Sequence, residues 1–344
     1  MTPITRRGAA AILGAATLSI AFAVTNVCPA RAADQIKVGI LSLTSHSPSI
    51  IAAGKGYFAE QGLDVEFVSF QAAQPMAVAI ASNDIDFGMT AISAGLVNLA
   101  EKGAVKIIGG ALQETPDVVG QKILVSKAAY DAGLTSPAML KGHSFGVTTA
   151  GSSFHYMAHK IADKEGFDRS EIKITPLQKV PAVIASLKSG QIDAWSIVPN
   201  IAGALTKGPE VVEIGKVSDY VDGYQVTTVF TSAKNTVEKE ELVKRFLAGL
   251  SKGIDDYNAA LVDKSMNEAD TAAIVAMIHK YVYADQPLDK ADPRIRAGAM
   301  RINASAKLNL ASVKDQLDWF KSENLVSGDA SIDNLVDTRF VEVY

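Results

Sequence analysis

The sequence predicts an α/β protein made of two similar lobes joined by a two-strand hinge. Three observations lead there. One stretch of the chain repeats at a constant offset of 107 residues without a gap, and both copies read as β-α-β-α-β. About 312 residues remain after an N-terminal leader, which is long for one simple core.

The leader comes first in the chain. Residues 1–32 carry no acid, place Arg6 and Arg7 ahead of an apolar run over 9–24, and end on Ala30-Arg31-Ala32. That pattern is a secretory signal peptide cleaved before Ala33, which implies an exported, periplasmic protein. Thr5-Arg6-Arg7 suggests a twin-arginine signal, but Gly8-Ala9-Ala10 lacks the bulky apolar residues such signals carry, so ordinary secretion is the expectation. The apolar run falls short of the roughly 20 residues a spanning helix needs. Cys28, the only cysteine, lies in the leader and lacks a lipoprotein context.

Losing the leader takes lysine plus arginine from 33 to 30 against 37 acids, so the mature net charge is −7. An acidic surface without a basic run argues against nucleic acid as a partner. Without cysteine, thiol catalysis, thiolate zinc sites and disulfides are excluded from the mature chain.

The repeat is visible residue by residue. The strand-like 36–41 falls on 143–148 with Gly39 on Gly146, and Ser45 falls on Ser152 in the turns that follow. Residues 65–71 fall on 172–178, ending on Gln71 and Gln178. Helical stretches 75–82 and 181–189 come next, and then Ile85-Asp86 falls on Ile192-Asp193. Similar element lengths alone do not give gap-free identities over six elements, so the two lobes share one design, with parallel strands and helical crossovers.

Strands are expected at 105–108, 121–125 and 224–231, with helices over 238–260, 268–281, 291–304 and 312–323. The chain then crosses between lobes near 113–121 and 223–229, and the C-terminal helices return to the first lobe. The domains are therefore a signal peptide at 1–32, lobe I at 33–115 with 228–344, and lobe II at 116–227. Two crossings make a hinge.

Open α/β sheets bind ligands beyond the carboxyl ends of their strands. In the first lobe that loop carries Ser45, His46 and Ser47, with Pro48 opening a helix. In the second it carries Gly151, Ser152 and Ser153. Facing loops of hydroxyls, backbone N–H groups and helix N-termini suit a small organic anion. Helix capping is the commoner job of a serine before a helix, but its occurrence in both lobes favours binding. The next loops add Thr90 and Ala91, and Trp195 as a cover for an apolar or planar ligand body, against simple packing between helices. Tyr224 and Gln113 at the crossings are weaker candidates.

These residues sit in a familiar context. The run from Ser49 through Gly54-Lys55-Gly56-Tyr57-Phe58 to Gly62-Leu63-Asp64-Val65 resembles the signature of the nitrate/sulfonate/taurine type of ABC-transporter binding protein, the SsuA/THI5-like or NMT1 family. The runs 140–147, 151–153 and 187–194 repeat that family's second-lobe pattern in order, so the likeness covers roughly 36–200. The resemblance implies a type II periplasmic-binding-protein fold, venus-flytrap closure, a ligand in the interlobe cleft, and an ABC permease of the inner membrane as partner. Members carry alkanesulfonates, taurine, nitrate, bicarbonate, aromatic carboxylates or pyrimidine precursors. No lysine or arginine stands at the matching positions, which fits a hydrogen-bonded anion or a neutral ring.

No catalysis, cofactor or metal is expected, and the protein is read as a monomer. The family's enzymatic branch, the thiamine-pyrimidine synthases, is associated with a cysteine-rich motif and iron that this chain lacks. His155 and His159 stand four apart as zinc ligands can, but the metalloprotease glutamate is missing and Lys160 and Lys164 flank them, so a solvated helix face is expected. No Gly-x-Ser-x-Gly elbow supports Ser-His-Asp catalysis. Asp86 and Asp193 are expected to fix turns rather than act as an acid/base pair.

Overall fold

The computed structural model describes residues 1–2 and 32–344. The signal-peptide reading and Cys28 lie outside the described residues. Among the described residues ten strands form two five-stranded sheets. They are β1 (Asp34–Leu41), β2 (Leu63–Phe70), β3 (Phe87–Ala91), β4 (Val105–Gly110), β5 (Lys122–Ser126), β6 (Ser144–Val147), β7 (Lys173–Pro176), β8 (Ala194–Ile197), β9 (Val211–Lys216) and β10 (Thr227–Ser232).

The sheet orders are β2-β1-β3-β10-β4 and β7-β6-β8-β5-β9, one arrangement used twice. Pairing registers repeat at the offset of 107. Val38 pairs Phe67 and Phe87, and Phe145 pairs Ile174 and Ala194. The shared glycines explain part of this. A Cβ on Gly39 would lie 2.7 Å from Ile85 Cδ1, and one on Gly146 2.3 Å from Ile192 Cδ1, so each marks the place where the following helix and turn lie against the strand. The Asp86 carboxylate accepts the Lys37 N–H at 2.9 Å, and Asp193 accepts that of Ser144 at 2.7 Å. These aspartates tie neighbouring strands together rather than fix turns.

Each sheet is completed by a strand from a crossing. β5 runs antiparallel beside β8 and β9, and β10 runs antiparallel between β3 and β4. β9 is missing from the sequence expectation, because its Val-Val-Glu-Ile-Gly-Lys run is short and only half-buried. The crossings touch where Gln113 bridges Gln225.

The C-terminal region packs on both lobes, which corrects the expected return to the first alone. Helix Glu240–Tyr257 lies on helix Ser47–Gly54 and stacks Phe246 on Phe87 at 3.9 Å between ring centres. Helix Leu310–Ser322 lies instead along helix Ser153–Glu165 of the second lobe, where Lys160 donates to Asp315 at 2.9 Å. The helix expected over 291–304 spans Leu288–Ala297. Gly298 caps it, passing so close to Thr44 and Asn200 that a Cβ would lie 2.7 Å from either.

Candidate functional site

The loops after β1, β3, β6 and β8 meet in one cleft between the lobes, joined by the inner ends of the crossings. Its cavity is about 60 Å3. Of its nineteen lining residues eleven are apolar, eight are polar and none carries a carboxylate, ammonium or guanidinium group.

Ser45, His46, Thr90, Ala91, Ser152 and Ser153 line this cleft, so six of the ten expected residues come together from both lobes. His46 is 2% exposed, and its Nδ1 accepts the Leu41 N–H at 3.3 Å. Burial pushes the imidazole down to about 3, so the ring is neutral with its proton on Nε2, a donor without a charge. Ser152 stands at the N-cap of helix Ser153–Glu165 yet makes no capping bond. Its Oγ is buried without a partner, which leaves the hydroxyl for a ligand.

The other four expected residues do not line the cleft. Ser47 is the first helical residue rather than the cap, a role that falls to His46, and its hydroxyl is buried behind the loop. Trp195 is buried beneath Phe154, whose ring meets it edge-on at 5.5 Å and takes its place on the wall. Tyr224 is buried against Tyr156 with ring centres 4.9 Å apart. Gly151 holds the lobes together, its carbonyl accepting the Ala94 N–H at 2.9 Å across the cleft. Asn200 likewise donates to Tyr283 Oη at 2.6 Å, so the lobes are closed.

Thr148, Gln121 and Thr227 also line the cleft and were not anticipated. The last two come from the crossings, whose place in the wall depends on how the sheets exchange strands. Behind Gln121 lies Glu114, a buried carboxyl that accepts the Gln121 N–H at 3.0 Å.

His155 and His159 are buried, which overturns the solvated face. His155 Nδ1 accepts the Gly151 N–H at 3.1 Å, its Nε2 meets His159 Nε2 at 3.0 Å, and Trp319 Nε1 donates to His159 at 3.3 Å. The cover is helix Leu310–Ser322, which no local pattern places there. Among the described residues no group of three or more histidines, cysteines or acids is arranged to hold a metal.

Two α/β lobes closed over an uncharged cleft define a periplasmic-binding-protein fold. The chain belongs to the NMT1/THI5-like family, whose sequence model matches residues 43–260. A Brucella abortus chain provisionally named as a binding protein is 25% identical over 256 residues, 73% of this chain and 76% of that one. A Bacillus subtilis chain provisionally named as an aliphatic sulfonates-binding protein is 29% identical over 227 residues, 64% of each. Among solved structures, the alkanesulfonate-binding protein SsuA from Xanthomonas axonopodis pv. citri, bound to MOPS, has a TM-score of 0.67 at 18% identity, covering 90% of this chain and 98% of that one. The desulfurization enzyme DSZB shares the fold at a TM-score of 0.58 and 14% identity, covering 89% and 97%. At such identities the structural likeness establishes fold, and function has to be argued from the site.

Proposed function

We propose that this chain is the solute-binding component of an ABC importer, exported to the periplasm, and that it captures a small organic anion in the interlobe cleft and delivers it to a permease. The carrying observation is the unpartnered Ser152 hydroxyl at a helix N-terminus, facing a cleft whose opposite wall offers the neutral His46 Nε2–H and Ser45. Hydrogen-bond donors without fixed cations hold a sulfonate or carboxylate reversibly, as a carrier requires. Related chains named for sulfonate binding support this class.

The protein acts as a monomeric clamp, with lobe I built on 33–115, lobe II on 116–227, and the C-terminal region lying on both. A ligand touching both loops binds the closed state better and shifts the population toward it. His46, whose Nδ1 already accepts the Leu41 N–H, is not placed as a base for the cleft hydroxyls, and we read the chain as a carrier and not as an enzyme. The uncharged lining and the Phe154 ring favour one second reading, a neutral pyrimidine-like ring. A thermal-shift screen of the protein from Ala33 against sulfonates, taurine, nitrate, carboxylates and pyrimidines separates the two. Stabilisation by a sulfonate or carboxylate is expected; stabilisation by pyrimidines alone would overturn the anion reading.

A further inference from the structure

We propose that Glu114 is a positioning residue that sets the Gln121 amide in the cleft wall, and that capture of an anion beside Gln121 takes up a proton at the Glu114 carboxyl. This rests on the anion-binding reading above and adds its regulation. Glu114 lies on the first crossing, 1% exposed. Its oxygens accept the Gln121 N–H at 3.0 and 3.3 Å, and Oε2 accepts Gln121 Nε2 at 3.3 Å. A Cβ on Gly120 would lie 1.5 Å from Oε1, so the segment is wrapped around the carboxyl. Gln121 gives one N–H of its Nε2 to Glu114, which leaves the second N–H for an anion, and Gln121 itself lines the cleft. One side chain therefore separates a buried acid from the bound solute.

Among the described residues no cation contacts that acid. Lys122 favours its ionised form from a distance but is bridged to Glu213 at 3.0 Å. The second crossing contributes the Tyr224 hydroxyl, which is buried and un-ionised. Asp117, further along the same segment, lies 3.6 Å from Arg301. Burial outweighs the Gln121 bonds and pushes the carboxyl up to about 7. Near neutral pH the site is thus divided between its charged and neutral forms. An anion next to Gln121 favours the neutral form, so the bound protein's carboxyl titrates higher than the free protein's. Affinity is then full below the free value, falls as pH rises from the free to the bound value, and is level again above it.

The test has two arms. In the free protein labelled at glutamate carboxyls, NMR should show one signal, absent in E114Q, that titrates near pH 7; titration below pH 5 would overturn the proposal without reference to any ligand. Calorimetry with ethanesulfonate, taurine, acetate and benzoate at pH 6 and pH 8.5 is the second arm. For a probe that binds, wild-type affinity should fall roughly ten-fold between the two, the effect of one pKa unit of coupling. The E114Q profile should be flat, because glutamine has no titrating proton there, while its one oxygen can still accept the Gln121 N–H. The same pH dependence in E114Q would sink the coupling alone. Binding of none of the four by the wild type at either pH would sink the anion reading and the coupling with it.

Discussion

Gly151 offers the sharpest test of closure. Its φ is +72°, its carbonyl accepts the Ala94 N–H at 2.9 Å, and a Cβ there would lie 2.5 Å from Ala94 Cβ. G151A therefore has two separable effects. The left-handed backbone costs an L-residue roughly 1–2 kcal/mol in open and closed forms alike, which lowers the melting temperature but leaves the closure equilibrium alone. The collision with Ala94 exists only when the lobes meet. Overpacking of that kind costs roughly 1–3 kcal/mol, and at about 1.4 kcal/mol per decade the ligand's Kd should rise roughly five- to 150-fold. A94G removes the opposing methyl group, so G151A/A94G should recover affinity while keeping the lowered melting temperature. Calorimetry, melting curves and small-angle scattering on the four proteins of the cycle read these quantities. G151A binding within two-fold of wild type, or A94G failing to restore it, would refute the assignment of Gly151 to the closing contact.

S152F should abolish ligand binding while the far-ultraviolet circular dichroism stays native, and S152A, which removes one hydroxyl, should weaken binding by about ten-fold. Unchanged affinity in both would remove the second-lobe cradle. The Glu114 carboxyl also makes a stability prediction. Its folded value of about 7 exceeds the ordinary 4.5, so the folded state prefers the protonated acid, and ionisation lowers stability as pH rises from about 4.5 to 7. The full cost is about 3 kcal/mol at most. E114Q should therefore melt with wild type at pH 4.5 and above it at pH 8; parallel curves would contradict the buried-acid account. On helix Glu240–Tyr257 a Cβ at Gly253 would lie 2.2 Å from the Pro48 carbonyl oxygen, so G253A should destabilise by roughly 1–3 kcal/mol in chemical denaturation, and wild-type stability would show that the helices can separate freely.

The doubled sheet was legible because it is written locally. Each copy brings its own glycine, its own Ile-Asp pair and its own strand-loop-helix order, and these recur at 107 because the same contacts recur. The six residues that do line the cleft sit on loops whose place follows from strand ends alone. What escaped depends on partners distant in sequence. Gln121 and Thr227 reach the cleft only because the crossings enter the opposite sheets. His155 and His159 look solvent-facing until helix Leu310–Ser322 covers them, with Trp319 donating to His159. Trp195 lies inside β8, whose carboxyl end at Ile197 reaches the cleft, and Phe154 packs over its ring and stands on the wall in its place. Ser47 missed by a single position, since the turn Thr44–His46 moves the cap back to His46.

The exchange of strands has a consequence for the order in which the protein can be assembled. As the chain emerges from its N-terminus, β1 to β4 are made first, but the strand between β3 and β4 is β10, more than a hundred residues later. Until it arrives, the first sheet has an open slot flanked by two bare edges, one of them lined with buried Phe87 and Met89. The second sheet has no such gap, because β5 to β9 are contiguous in sequence. The lobe translated second is therefore the first that can be finished, and the N-terminal lobe closes only when β10 slides home.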